Sequence, residues 1–136
     1  MDVKFAFEKG GKNIFGEIYR PIAKVSFKSP QKNLWTDTWM VIDTGADFTI
    51  LPRYLAKDLG ISLENDCSID STFGVGGEQT LDLLSNKITI RMGNIEKQVP
   101  IAFLDNNDVP ALMGRLGFIE TFDTTFLKKH SVIFKD

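Results

Sequence analysis

Met40-Val41-Ile42-Asp43-Thr44-Gly45-Ala46-Asp47-Phe48-Thr49-Ile50-Leu51-Pro52 sets an acid, a hydroxyl and a glycine at the end of an apolar strand, and the pattern occurs once in the chain. A carboxylate that follows Val41 and Ile42 and precedes a sharp glycine turn is expected near the core, where desolvation perturbs its acidity. Asp-x-Gly turns at strand ends are common, so taken alone the motif is a weak signal and Asp43 reads first as simple turn stabilisation.

Working outward, Thr72-Phe73-Gly74-Val75-Gly76-Gly77-Glu78 is a glycine-rich segment flanked by two β-prone arms, Ser68 to Phe73 and Gln79 to Leu84. Further on, Ala111-Leu112-Met113-Gly114-Arg115 ends another apolar run in Gly-Arg. Asp-Thr-Gly-Ala-Asp-x-Thr followed by two apolar residues resembles the catalytic loop of the retropepsin-like aspartic proteases. The glycine-rich hairpin resembles the flap of that family, and apolar-apolar-Gly-Arg resembles its second signature. The resemblance runs from Leu34 to Phe122. It implies an all-β, closed acid-protease barrel with a flap hairpin and one or two short helices, one lobe per chain, residues 1–136 forming a single domain.

The resemblance also implies a chemistry. Aspartic proteolysis needs two carboxylates facing each other across a water, one ionised and one protonated. This chain supplies one copy of the motif, so the implied enzyme is a homodimer in which Asp43 and its symmetry mate form the catalytic dyad on a two-fold axis. By the same resemblance Thr44 points its hydroxyl at the partner loop, and Gly45 and Ala46 are small so that loop and substrate backbones approach closely. Asp47 contacts substrate backbone at the mouth of the cleft, and Arg115 braces it as a structural ion pair. Leu112 and Met113 pack beneath the loop. Phe73, Gly74, Val75, Gly76 and Gly77 close over an extended peptide or protein substrate. Neither metal nor organic cofactor is implied. The stretch from Thr121 to Asp136 exceeds what a minimal retroviral unit needs, so the terminal strands are expected to build the dimer sheet differently from viral enzymes. The Met1 start reads as that of a cellular relative. The alternative function is a catalytically inactive retropepsin-like module for dimerisation or peptide binding, because a fold does not by itself confer chemistry.

Composition is consistent with one domain that buries a substantial core: 136 residues, 43% hydrophobic. A formal net charge of -2 with mixed signs offers no footprint for nucleic acid or an anionic membrane surface. The single cysteine, Cys67, cannot form an internal disulfide, which reads as a reducing compartment. The only histidine, His130, lies in a polar Lys-Lys-His cluster expected to face solvent, so a Cys-His enzyme is disfavoured. The N-terminus lacks the apolar stretch of a signal peptide and no run approaches a membrane span, so the expectation is a soluble cytoplasmic protein.

Further elements follow from periodicity. Val3, Phe5 and Phe7 alternate before Gly10-Gly11, and Ile14 to Tyr19 follows as the expected antiparallel partner. Ala23 to Lys28 and Leu34 to Ile42 read as strands, with Trp35 and Trp39 on one face, read as barrel packing rather than a ligand platform. Pro52 to Gly60, with Leu55 and Leu59 four apart, reads as a short helix. Lys87 to Met92 and Lys97 to Leu104 read as strands, Arg115 to Phe122 as a second helix with Phe118 and Phe122 in the core, and Ser131 to Phe134 as a terminal strand. Gly74 to Gly77 lacks the Lys-Ser/Thr of a phosphate-binding loop, and Asp105 to Asp108 lacks the glycine and glutamate of a calcium loop, so both read as turns.

Overall fold

Alternating side chains along short β-branched and aromatic runs produce a chain that is mainly strand. The computed structural model describes residues 2–74 and 77–136. In order these form β1 (Asp2–Ala6), β2 (Glu8–Asn13), β3 (Gly16–Arg20), β4 (Ile22–Lys28), β5 (Trp35–Ile42), β6 (Ile50–Pro52), helix α1 (Tyr54–Asp58), β7 (Cys67–Gly74) and β8 (Gly77–Leu84). There follow β9 (Ile88–Met92), β10 (Ile95–Val99), β11 (Ala102–Leu104), β12 (Ala111–Met113), a 3-10 turn (Ile119–Thr121), β13 (Asp123–Leu127) and β14 (Ser131–Lys135).

Nine strands form one sheet in the order β10-β9-β4-β5-β12-β6-β11-β8-β7. Two of its pairings are parallel, β5 with β12 and β6 with β11. Among the described residues no pairing joins β10 to β7, so the sheet is open and the expected closed barrel is not found. The outer arm β7 runs with Ser68, Ile69 and Asp70 exposed and has β8 as its strand neighbour. A smaller sheet has the order β1-β14-β13, and β2 pairs with β3 as a separate ribbon.

The N-terminal pairing therefore differs from expectation. β1 bonds to β14, with Val3 opposite Phe134 and Phe5 opposite Val132, because burying Val132 and Phe134 requires a cover that only a distant segment supplies. Gly10-Gly11 is not the turn. Gly11, at a φ of 109°, sits at a bulge within β2, and the chain reverses at Ile14-Phe15 instead.

On β5, Met40 and Ile42 are buried while Trp39 is 57% exposed. Trp35, half-buried on the face that Trp39 shares, carries the Arg91 guanidinium 4.2 Å above its ring. The two tryptophans thus cover the outside of the sheet, since the pleat gives the inner face to the residues of opposite parity. Pro52 ends β6 opposite Leu104 and lies before the helix; α1 buries Leu55, Leu59 packs just beyond its end, and Gly60 at φ 70° stops the turn. Lys97 to Leu104 is split by Pro100, which lacks the N–H a continuous strand needs.

The second expected helix is a turn followed by the short 3-10 segment. Gly117 adopts φ 69°, and a Cβ there would stand 2.5 Å from the Pro100 ring, so the chain bends where a helix would continue. Phe118 and Phe122 still reach the core. The main core gathers Phe27, Met40, Leu51, Phe103, Met113, Phe118 and Phe134. A smaller cluster of Ile50, Leu81, Ala102 and Leu104, with Phe48, Leu83 and Leu112 against it, lies where β6, β8, β11 and β12 meet. Among the described residues no helix is long and apolar enough to cross a membrane.

Candidate active site

β5 and β12 run parallel with Val41 opposite Leu112 and Ile42 opposite Met113. Their ladder continues past the strand ends: Asp43 N–H donates to the Met113 carbonyl at 3.0 Å, Arg115 N–H to Ala46 at 2.9 Å, and Leu116 N–H to Asp47 at 2.9 Å. Two segments remote in sequence, Asp43 to Phe48 and Met113 to Leu116, are thereby zipped together. Few conformations satisfy so many backbone bonds at once, which holds the Asp43 loop in one shape.

Within the loop, the Gly45 N–H donates to Asp43 Oδ1 at 3.0 Å and the Ala46 N–H to the Asp43 carbonyl at 3.1 Å. A Cβ on Gly45 would come within 3.3 Å of Asp43 Oδ1, tighter than ordinary contact. One carboxylate oxygen is thus held by its own turn, leaving the other without a recorded hydrogen bond among the described residues. In the single chain Asp43 is half-buried rather than enclosed, because the loop lies at the rim of the sheet, with Thr44 and Gly45 exposed beside it.

Arg115 reaches back across the loop. Its Nη2 donates to Asp47 Oδ1 and its Nη1 to the Thr44 carbonyl at 2.8 Å, while Nε lies 3.9 Å from Glu120. Asp47 and Arg115 are thus brought together as an ion pair, 69% and 40% exposed respectively. Leu112 sits beside Ile50 and Val41, half-buried in the smaller cluster, whereas Met113 is fully buried beneath the loop.

Two contributors have no role in the sequence reading. Thr49 is 1% exposed, and its Oγ1 accepts the Gly114 N–H at 3.1 Å. Gly114 lies against the loop so closely that a Cβ would stand 2.1 Å from the Phe48 carbonyl oxygen. The signal for both was available: a hydroxyl inside the apolar run Thr49-Ile50-Leu51 needs a buried partner, and a glycine after Leu112-Met113 marks close backbone approach.

β7 and β8 form the hairpin in register, with Phe73 opposite Glu78 and Gly74 opposite Gly77. Val75 and Gly76, the remaining tip residues, lie outside the described residues. β8 bonds to β11 through Leu81 to Leu83, so on the tip side Gly77 to Thr80 and their partners Ser71 to Gly74 project past the sheet as a two-stranded ribbon. Cys67, near the base of this hairpin, is half-buried, and burial first, then the Asp82 and Asp66 carboxylates, push its thiol pKa upward. His130, in the turn between β13 and β14, stacks on Tyr19 of β3, with ring centroids 3.8 Å apart. No Cys-His pair is therefore assembled.

The arrangement offers a loop-borne carboxylate with one oxygen held by the Gly45 N–H, a braced acidic neighbour and a projecting hairpin. A family model described as aspartyl protease matches residues 32–117. The chain is also similar to the crystal structure of a retropepsin-like aspartic protease from Rickettsia conorii, at 18% identity over 98% of both chains and a TM-score of 0.64. No curated protein matches.

Proposed function

Because this chain belongs to the aspartyl protease family and has a retropepsin-like fold, we propose that it is one subunit of a homodimeric aspartic endopeptidase acting on peptides or proteins. The observation that carries the reading is the Asp43 loop, zipped to the Met113 to Leu116 segment, with a carboxylate oxygen held by Gly45 N–H. One such carboxylate cannot both remove a proton from water and donate one to a scissile carbonyl, so a second is needed and a second copy supplies it.

In the dimer, Asp43 and its mate hold a water between them. The ionised carboxylate takes a proton from that water as its oxygen adds to the peptide carbonyl carbon, and the protonated carboxyl gives its proton to the carbonyl oxygen. Collapse of the tetrahedral adduct breaks the C–N bond, with a proton delivered to the leaving nitrogen. Thr44 bonds across to the partner loop, and Gly45, Ala46 and Asp47 border the extended substrate. The hairpin with Phe73, Gly74 and Gly77 adds backbone hydrogen bonds to it. Leu112 contributes to an apolar side-chain pocket, and Arg115 acts by positioning Asp47 and the Thr44 carbonyl.

The test is cleavage of a diverse peptide library across acidic to neutral pH by wild type and Asp43→Asn, with oligomeric state followed in the same samples. Cleavage by the wild type alone, tracking the dimer, is expected. An active Asn variant ends the proposal, and a well-formed dimer without cleavage favours the binding-module reading.

A further inference from the structure

The β2–β3 ribbon ends in the two most exposed large apolar side chains among the described residues, Ile14 at 97% and Phe15 at 93%. The turn that presents them is well made, with Phe15 N–H donating to Asn13 Oδ1 at 2.8 Å and Gly16 at φ 123°. Two-stranded ribbons are marginal by themselves, and an apolar tip held out in water has an energetic cost, so this one calls for a binding partner.

The root of the ribbon identifies that partner. β4 begins at Ile22, opposite Val41, and the Pro21 carbonyl accepts the Ile42 N–H at 2.9 Å, one residue before Asp43. β3 leads into β4 through Pro21, so the ribbon continues beyond the end of the sheet that bears Asp43. Tyr19, stacked on His130, fixes it there against the β13–β14 turn. At ~3.3 Å per residue, five or six residues extend about 17–20 Å from this root.

The smaller sheet supplies the second constraint. β14 is its central strand, bonded to β1 on one side and β13 on the other, so both of its edges are satisfied within one chain. The C-terminal strand is not free to pair with a second copy; among the described residues the open edges of this sheet belong to β1 and β13 instead.

We infer that the β2–β3 ribbon is a dimerisation arm that crosses to a second copy of this chain and buries Ile14 and Phe15 beside the partner's catalytic loop. This rests on the dimeric reading of the site. With a two-fold axis beside Asp43, an arm rooted one residue from Asp43 starts next to that axis and arrives along the other subunit. An apolar cavity of about 180 Å³, lined by Phe48, Leu83, Pro100, Ile101, Ala102 and Leu116, flanks that loop. Leu116, 52% exposed at the rim, is bonded through its N–H to Asp47. Charge argues against a membrane as the occupant: Glu8 stands opposite Arg20 and Lys12 opposite Glu17, so the ribbon largely neutralises itself and carries no basic face for anionic lipid.

The experiment compares wild type with Phe15→Asp and with Ile14→Ser/Phe15→Ser by analytical ultracentrifugation and peptide cleavage, with thermal melts as a fold check. Both positions are over nine-tenths exposed in the single chain, so the melts of the isolated subunit should match. The dimer dissociation constant is expected to rise by about 100-fold or more, while activity at protein concentrations that restore the dimer returns to near wild type. In a Cys67→Ser background, a mixture of Phe15→Cys and Leu116→Cys chains is expected to give a heterodimeric product with a short bismaleimide. Tip variants that dimerise like wild type overturn the inference. A wild type that stays monomeric, with vesicle binding of phosphatidylserine liposomes lost in Phe15→Asp, overturns it in favour of a membrane anchor. A dimer weakened by the tip variants but devoid of cleavage upholds the arm while rejecting the protease reading.

Discussion

Thr49 Oγ1 accepts the backbone N–H of Gly114 at 3.1 Å, joining the strand after the Asp43 loop to the Gly-Arg turn by a bond buried from water. Thr49→Val keeps the side-chain shape and removes the acceptor, leaving the Gly114 N–H without a partner. The expected loss of stability is about 1–3 kcal/mol in urea unfolding, with cleavage reduced as the loop loosens. An unchanged unfolding midpoint would show that another group or water satisfies that amide.

Arg115 serves two acceptors at once, the Asp47 carboxylate and the Thr44 carbonyl. The ion pair is substantially exposed, so its own contribution to stability is about 0–1 kcal/mol after solvent screening. Its larger effect is on geometry. Arg115→Met is expected to lower kcat/KM by about 10-fold or more with a modest change in Tm. Arg115→Lys should not restore the rate, since one ammonium cannot reproduce a planar fork aimed at two oxygens. Full activity in the Lys variant would reduce Arg115 to a simple charge.

Cys67 gives a pH prediction. Burial and the neighbouring Asp82 and Asp66 carboxylates disfavour the thiolate, so the thiol stays protonated to a higher pH than a free cysteine. Alkylation by iodoacetamide at pH 8 is expected to be slower than for a small free thiol and to accelerate only as pH rises further. Because burial is the first cause, Asp82→Asn should recover only part of the difference. Fast labelling at neutral pH would mean that the base of the hairpin opens.

Much of the site was legible because its determinants are local. Met40 to Leu51 is a strand end, turn and strand start written in consecutive residues, and the arms of the β7–β8 hairpin flank a glycine cluster. The errors arose where a distant segment decides the outcome. Gly10-Gly11 has turn composition, but pairing of β2 with β3 makes it a bulge and moves the reversal to Ile14-Phe15. β1 pairs with β14 at the other end of the chain, and no local pattern in Val3 to Phe7 names that partner. Arg115 to Phe122 has helical spacing, yet Gly117 packs on Pro100 and the helix does not form. Trp35 and Trp39 lie on one face as spacing required, but which face is inner depends on Met40 and Ile42.

The proposed dyad, with one catalytic carboxylate from each chain, makes activity a property of pairs, and mixing tests this without any structural probe. If wild type is equilibrated with an equal amount of Asp43→Asn, random reassortment leaves about one quarter of dimers with two native carboxylates. A dyad that needs one ionised and one protonated carboxyl loses its base or its acid when either member becomes an amide, so the mixed dimer should be inactive. Cleavage per wild-type chain should then fall to about half, and continue falling as more variant is added, whereas an inert protein added in its place has no effect. Dilution should have the same sense, with specific activity dropping as dimers dissociate and recovering on reconcentration. Activity that stays proportional to the wild-type chain at every mixing ratio would assign catalysis to the single subunit and remove the symmetric dyad from the mechanism.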